Sequence, residues 1–272
     1  MHNYPAFRNG TYCKLKDLNV SILDLGFIHC DATYDVISVK NGEIQNLDNH
    51  LMRFSNSCAG FRLPCPDLYA IQMVLEDLVD EAPTKDLLLW LCVTRGIPTN
   101  GNPRDLKKCV ANFMAYAKPY FAFNSSNSAT VCLASQIRNT SIDQTLKNFS
   151  WNDLTLAQWE AIDRGYDTAI LTDGNGYVTE GPGFNVGFIS KDNFVYAPRS
   201  NRLEGTVMEQ VRLLCEKNNK QFFYTSITMH TVESDMDAMF LTSTAGNIIP
   251  VTKFEDITFK ENELLTWLRT NI

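Results

Sequence analysis

Apolar residues recur along this chain with two periods, and the switches between them lay out most of its elements. Val36-Ile37-Ser38-Val39, then Asn41-Gly42, then Glu43-Ile44-Gln45 predicts a β-hairpin, because Asn-Gly tolerates the positive φ values of a tight two-residue turn. Leu47, Leu51, Phe54 and Cys58 return at helical spacing, which predicts an amphipathic helix with Asp48 as its N-cap. A second helix is predicted over Leu68, Ile71, Val74, Leu75, Leu78 and Val79, with Asp67 at its start. The apolar run 87–94 reads as a buried strand ending at Arg95-Gly96, with 112–117 as its partner.

Beyond Pro119 and the aromatic residues Tyr120, Phe121 and Phe123, the polar run 124–128 suits a connection better than an element. A strand is then predicted at 129–135 and a helix at 153–164, closed by Gly165. Hairpins are predicted over 169–180 and 185–197, and Gly205-Thr206 opens a helix carrying Val207, Met208, Val211, Leu214 and Cys215. The expected architecture is mixed α/β (α+β) with two domains: 1–118, a connection at 119–128, and 129–272.

With 31 acidic against 24 basic residues, the net charge of -7 argues against a nucleic-acid surface and for small-molecule partners. No apolar run reaches the eighteen or so residues of a membrane span, and no leader pattern opens the chain, so a cytoplasmic protein is expected. Eight cysteines without a C-x-x-C pair make a metal site or a disulfide framework unexpected.

Two places carry chemistry. A lysine amine at Lys147 can form a Schiff base with pyridoxal phosphate, and Glu180, in Thr179-Glu180-Gly181-Pro182-Gly183-Phe184-Asn185, can keep the pyridine nitrogen protonated. Thr206 with Glu209 matches a capping box, and equally a helix start whose N–H groups bind phosphate; both readings stand at this point. Ser243-Thr244-Ala245-Gly246 is a small-residue turn that suits the same phosphate.

Together with GFIHCDATYDVISV, LDNHLMRFSNSC, VTRG, LKNFSWNDLTLAQWEAIDRG, LTDGNGYVTEGPGFN and FLTSTAG, these residues carry a family resemblance over about 26–250. The chain resembles the class IV pyridoxal-phosphate aminotransferases, and among them most resembles the (R)-selective amine transaminases and D-amino-acid transaminases. The resemblance implies a small N-terminal α/β domain and a larger pseudo-barrel domain that holds pyridoxal 5'-phosphate. It makes Lys147 the catalytic Schiff-base lysine and Glu180 the partner of the ring nitrogen. Arg53, Thr206, Val207, Ser243 and Thr244 match phosphate positions, and Leu203 matches the leucine packed on the ring. His29, Tyr34, Val36 and Trp151 match substrate-pocket positions. Val207 offers an N–H but no hydroxyl where the family has threonine. No arginine falls at the family's carboxylate-binding place after Arg95-Gly96, which leaves Arg104, from a shifted position, as the candidate. A homodimer acting on amines or amino acids and oxo acids is implied. Branched-chain transaminase, aminodeoxychorismate lyase and a non-catalytic cofactor-binding homologue are the alternatives.

Overall fold

The computed structural model describes residues 3–122 and 128–272, so half of the expected connection at 119–128, residues 123–127, lies outside the described residues. The chain forms two compact units, one of 1–121 with 146–150, the other of 122–145 with 151–272.

The first unit is built on β1 (Pro5–Arg8), β2 (Thr11–Lys14), the single turn α1 (Leu25–Ile28), β3 (Ala32–Lys40), β4 (Glu43–Ile44), α2 (Leu47–Gly60), α3 (Leu68–Asp80), β5 (Leu87–Pro98) and β6 (Cys109–Pro119). Its sheet has the order β2-β1-β6-β5-β3-β4, with every pair antiparallel. Alternation along the strands sends Ile37, Val39, Leu89, Leu91, Val93, Ala115 and Ala117 to one face. There α2 and α3 cover them with Leu51, Phe54, Cys58, Ile71, Leu75 and Leu78. Phe54 is fully buried, and each such large apolar side chain contributes about 1.5–3 kcal/mol.

Local chemistry explains what the pattern read correctly. Asn41 and Gly42 both take positive φ, 52° and 85°, and close the β3–β4 hairpin. Asp67 caps α3 by accepting from the Ala70 N–H at 3.0 Å. Asp48 is not the cap of α2: Asn46 holds that place in left-handed conformation, and Asp48 lies within the first turn. Nor does β5 end at Arg95-Gly96. The strand continues to Pro98 through a bulge, where Gly96 has φ 79° and an added Cβ would lie 1.7 Å from the Val110 carbonyl oxygen.

The second unit contains β7 (Ala129–Ile137), α4 (Asn152–Asp163), β8 (Thr168–Thr172), β9 (Glu180–Gly181), β10 (Phe184–Ser190), β11 (Val195–Pro198), α5 (Thr206–Lys217), β12 (Phe222–Thr225), α6 (Met229–Asp235), β13 (Met236–Ser243), β14 (Asn247–Phe254), β15 (Ile257–Thr258) and α7 (Glu263–Asn271). Its mixed sheet runs β12-β11-β10-β13-β14-β7-β8, with β9 on β10 and β15 on β14. Two parallel neighbours, β7–β8 and β11–β12, are each joined through a helix, α4 and α5. Leu154, Ala157 and Ala161 of α4 pack on Cys132, Ala134, Ala169 and Leu171, and Gly165 ends the helix at φ 76°. The hairpin expected over 169–180 forms in its inner part: β8, which also pairs in parallel with β7, meets the returning segment at the antiparallel bridge Thr172–Val178, flanked by bonds from the Asp173 N–H to the Tyr177 carbonyl at 2.9 Å and from the Thr179 N–H to the Leu171 carbonyl at 3.0 Å, while β9 turns to β10.

Candidate functional site

The residues expected to carry chemistry fall into two groups, one in each unit. In the first unit, α2 turns His50, Arg53 and Ser57 inward on one face, as helical spacing requires. Asp35, fully buried on β3, meets them. Arg53 donates from Nε to Asp35 Oδ2 at 2.8 Å and from Nη2 to Oδ1 at 2.7 Å, and His50 Nδ1 lies 2.9 Å from Oδ1. Burial opposes ionisation of Asp35, but Arg53 and His50 together overcome it and hold the carboxyl far below the usual carboxylate range. Burial pushes the His50 imidazole below its ordinary value; Asp35 opposes this, and Arg53 and Lys147 reinforce it.

The segment carrying Lys147 is seated on this group by its backbone. The Lys147 N–H donates to Ser57 Oγ at 3.0 Å, and the Lys147 carbonyl accepts from Thr33 Oγ1 at 2.6 Å. Asn148 forms an antiparallel bridge with Thr33, and the Phe149 ring lies 5.0 Å from that of Tyr34. With both backbone groups held, the Lys147 side chain emerges with Nζ 4.5 Å from the centre of the Tyr34 ring. Val36 stands half-buried two residues along β3, on the same side as Tyr34. His29, at the end of α1, and Arg104, in the turn before β6, are both exposed. Among the described residues neither has a side-chain bond to the Lys147 group.

In the second unit, Pro182 and Gly183 form the tight turn joining β9 to β10, with Gly183 at φ 86°. That turn sets Glu180 directly across from Asn185. Glu180 Oε1 accepts from Arg138 Nε at 3.0 Å, and Oε2 accepts from the Leu203 N–H at 2.8 Å and from Asn185 Nδ2 at 3.4 Å. Arg138 is itself buried and reaches on to Asp153 Oδ2 at 2.6 Å, at the start of α4. Asn185 also donates to the Leu203 carbonyl at 2.8 Å, so the Leu203 backbone is fixed at both its N–H and its C=O. Gly205 packs on the same asparagine, and an added Cβ would lie 1.8 Å from Asn185 Oδ1. Trp151, half-buried just before α4, packs near Gly183.

The capping box expected at Thr206 is absent. Gly205 is the N-cap of α5, Thr206 is its first residue, and Glu209 instead forks onto Arg212 at 2.9 and 2.7 Å. Gly205 brings no side chain to the first turn of α5, whose N–H groups begin at Thr206 and Val207. β13, on which α5 packs, ends with two buried hydroxyls, Thr242 Oγ1 and Ser243 Oγ, that have no hydrogen-bond partner among the described residues. Thr244 follows in the turn to β14, half-buried.

The family model described as Amino-transferase class IV matches residues 32–254. The chain belongs to the class IV aminotransferases. It is 27% identical to D-alanine aminotransferase of Bacillus licheniformis, over 91% of this chain and 87% of that protein. It is also 27% identical to a candidate branched-chain-amino-acid aminotransferase of Methanocaldococcus jannaschii, over 92% and 87%. Its fold is that of branched-chain aminotransferase from Thermoproteus uzoniensis, with a TM-score of 0.91 at 20% identity, covering 98% of this chain and 92% of the other. The enzyme is thus a transaminase of a family that works with pyridoxal 5'-phosphate.

The residues present fit that cofactor. A carboxylate supported by a buried arginine suits a protonated ring nitrogen, and buried hydroxyls at the end of β13, without a partner among the described residues, suit phosphate oxygens, as does a helix start whose N-cap is glycine. Val207 has an N–H to offer in that first turn. Asp35, Ser57, Thr33 and Arg138 are the supporting residues that sequence reading missed. Only Ser57 carried a signal, as the polar residue one turn after Arg53 on the buried helix face.

Proposed function

We propose that the enzyme moves an amino group from a D-amino acid or an (R)-amine to a 2-oxo acid or ketone, with Lys147 as its catalytic residue. The observation that carries this reading is the seat of Lys147, whose backbone is bound at both polar groups while Nζ is presented over Tyr34. When bound, pyridoxal phosphate supplies an electron sink that makes the proton on the amino-bearing carbon removable. Lys147 Nζ would hold the cofactor covalently and, once the incoming substrate amine has displaced it as a free amine, would be the base that moves that proton. Glu180, bonded by Arg138 Nε and the Leu203 N–H, would hold the ring nitrogen, and Leu203 would pack on the ring. Arg53, the first-turn N–H groups of Thr206 and Val207, and the hydroxyls of Ser243 and Thr244 bind the phosphate. Tyr34, Val36, His29, Trp151 and Arg104 serve the substrate.

The relatives named D-alanine aminotransferase and the HCDATYDV block support the stereochemical choice. Branched-chain L-amino acids are the second reading, favoured by the Methanocaldococcus relative. We also propose a homodimer, supported by the apolar surface of 20–28, where Ile22, Leu23 and Phe27 are 73%, 61% and 67% exposed. Sedimentation of the purified protein tests it. For the reaction, the cofactor's visible absorbance is followed while D- and L-amino acids and (R)- and (S)-amines are added one at a time. Faster conversion by D-amino acids or (R)-amines is expected; faster conversion by L-leucine or L-valine replaces this reading with the second. A cofactor band unchanged in Lys147→Ala overturns the assignment of the lysine.

A further inference from the structure

On the face of the first unit's sheet opposite α2 and α3, three rings stack across neighbouring strands. Tyr34 and Trp90 have centroids 5.4 Å apart with planes 9° from parallel, and Trp90 and Tyr116 lie 6.0 Å and 7° apart. At one end stands Lys147 Nζ, over Tyr34. At the other stands Lys118, with Nζ 5.2 Å from the Trp90 ring centre and 5.9 Å from those of Tyr116 and Phe121.

Two donors beyond Tyr34, one on the middle ring and one on Lys118, lack an acceptor. Trp90 Nε1 is buried without a hydrogen-bond partner among the described residues, a condition native proteins rarely leave unmet. Lys118 is surrounded by rings, yet among the described residues no carboxylate pairs with it, in a chain holding 31 acidic residues. Both deficits are met by one anionic group placed beside Trp90 and Lys118.

We propose that this stack is the side-chain subsite of the enzyme, and that its substrate carries a long flat arm ending in a carboxylate bound by Lys118 and Trp90. The proposal rests on the transaminase reading of Lys147. Its length requirement follows from the sheet. The Trp90 ring centre lies 5.4 Å from that of Tyr34, and Lys118 Nζ a further 5.2 Å from Trp90, so an arm running from Tyr34 past Trp90 to Lys118 takes up to roughly seven bonds of about 1.5 Å. The side chains of alanine, glutamate and the branched aliphatics fall short of that reach. An aryl ring bearing a carboxylate suits both the length and the aromatic surroundings. Trp90 and Lys118 are then specificity residues, touching the far end of the substrate and taking no part in proton transfer.

The test measures kcat/KM of the holoenzyme for 4-carboxyphenylalanine and for phenylalanine, each as D and L forms, by following cofactor conversion. The wild-type enzyme is expected to prefer the carboxylated donor by about ten- to hundredfold, the size of one charge-assisted hydrogen bond. In Lys118→Met that ratio falls to near one, Lys118→Arg restores most of it, and Trp90→Phe, which keeps the ring and removes the N–H, loses part of it. Turnover of phenylalanine in each variant shows that the variant is folded. A wild-type ratio at or below one, or a ratio unchanged in Lys118→Met, overturns the proposal. Conversion of phenylalanine alone, or of neither donor by an enzyme that converts D-alanine or L-leucine, overturns it and leaves the transaminase reading standing, whereas no conversion of any of these donors overturns both.

Discussion

Replacing Asp35 by Asn removes the only charge that faces Arg53 and His50 from β3, while keeping the size of the side chain. Asp35 is fully buried and receives two bonds from Arg53 and one contact from His50. An amide keeps one acceptor oxygen, so the fork with Arg53 is reduced and the negative charge of Asp35 beside the guanidinium is lost. Removing one partner of a buried ion pair costs about 3–5 kcal/mol, more than the pair contributes, because the remaining charge stays desolvated. The expected loss for Asp35→Asn is therefore about 3–5 kcal/mol, read as the fall in urea midpoint at pH 7.5 multiplied by the unfolding slope. Arg53→Met alone should cost a similar amount, and the double variant should cost less than the two together by roughly 2 kcal/mol, since neither group is then stranded. A loss below about 1 kcal/mol for Asp35→Asn, or losses that simply add, would refute the claim that a buried pair anchors β3 to α2.

Acid should weaken the protein in a defined window. His50 is held neutral by burial, so below the unfolded value of about 6.5 the unfolded chain takes a proton that the folded chain refuses. Stability is then full above that pH and falls as pH drops below it, by up to about 1.4 kcal/mol per unit, with Asp35 adding a further loss below about 4. Urea midpoints from pH 7.5 to 5 should be flatter in His50→Asn than in the wild type. Arg138→Met removes the cation that Glu180 and Asp153 share, leaving Glu180 its bonds from Leu203 and Asn185 and Asp153 its bond from the Asn139 N–H, and should lower both stability, by about 3–5 kcal/mol, and kcat; kcat equal to the wild type would show that Glu180 does not depend on it. Gly205→Ala pushes a methyl into Asn185, which holds Leu203 and Glu180, and should cost about 1–3 kcal/mol. Cofactor affinity measured by titration should weaken with it.

What the chain reveals before folding is what its neighbours in sequence decide. The Asn41-Gly42 turn, the Asp67 cap and the Gly165 stop each depend on a few adjacent residues, and all three form as the pattern implies. Competition between equally local partners defeats the same kind of reading elsewhere. Glu209 had a capping geometry available at Thr206, but a bidentate fork with Arg212 three residues on is the stronger contact. Long-range choices leave no local trace at all. That β8 takes β7 as a parallel partner is settled by α4 packing over both, and Arg138 lies in no periodic pattern that would point it at Glu180. An aspartate at 35 in an apolar strand looks like an error of patterning until α2 supplies Arg53 and His50. The residues proposed for the chemistry could be named from the sequence because motif and family resemblance carry them; their supports could not, because a support is defined by the partner it meets in space.

Ser57 shows how far such a support can govern function. Its hydroxyl accepts from the Lys147 N–H at 3.0 Å and donates to the Arg53 carbonyl at 2.9 Å, so one side chain ties the Lys147 segment to the helix that carries Arg53. Gly60, three residues on, lets Leu146 approach so closely that an added Cβ would sit 2.3 Å from it, which presses the same segment against α2. Ser57→Ala strands the Lys147 N–H and should cost about 1–3 kcal/mol. If the seat only holds the chain together, stability falls and turnover per folded molecule does not. If it aims Nζ, kcat falls about tenfold or more with little change in KM, since the loss is felt where the proton moves rather than where substrate binds. Ser57→Thr, which restores the hydroxyl, should recover kcat ahead of stability, because the added methyl crowds a fully buried position. A Ser57→Ala enzyme with wild-type kcat would confine Ser57 to a packing role and leave the side-chain contact with Tyr34 as what directs the lysine.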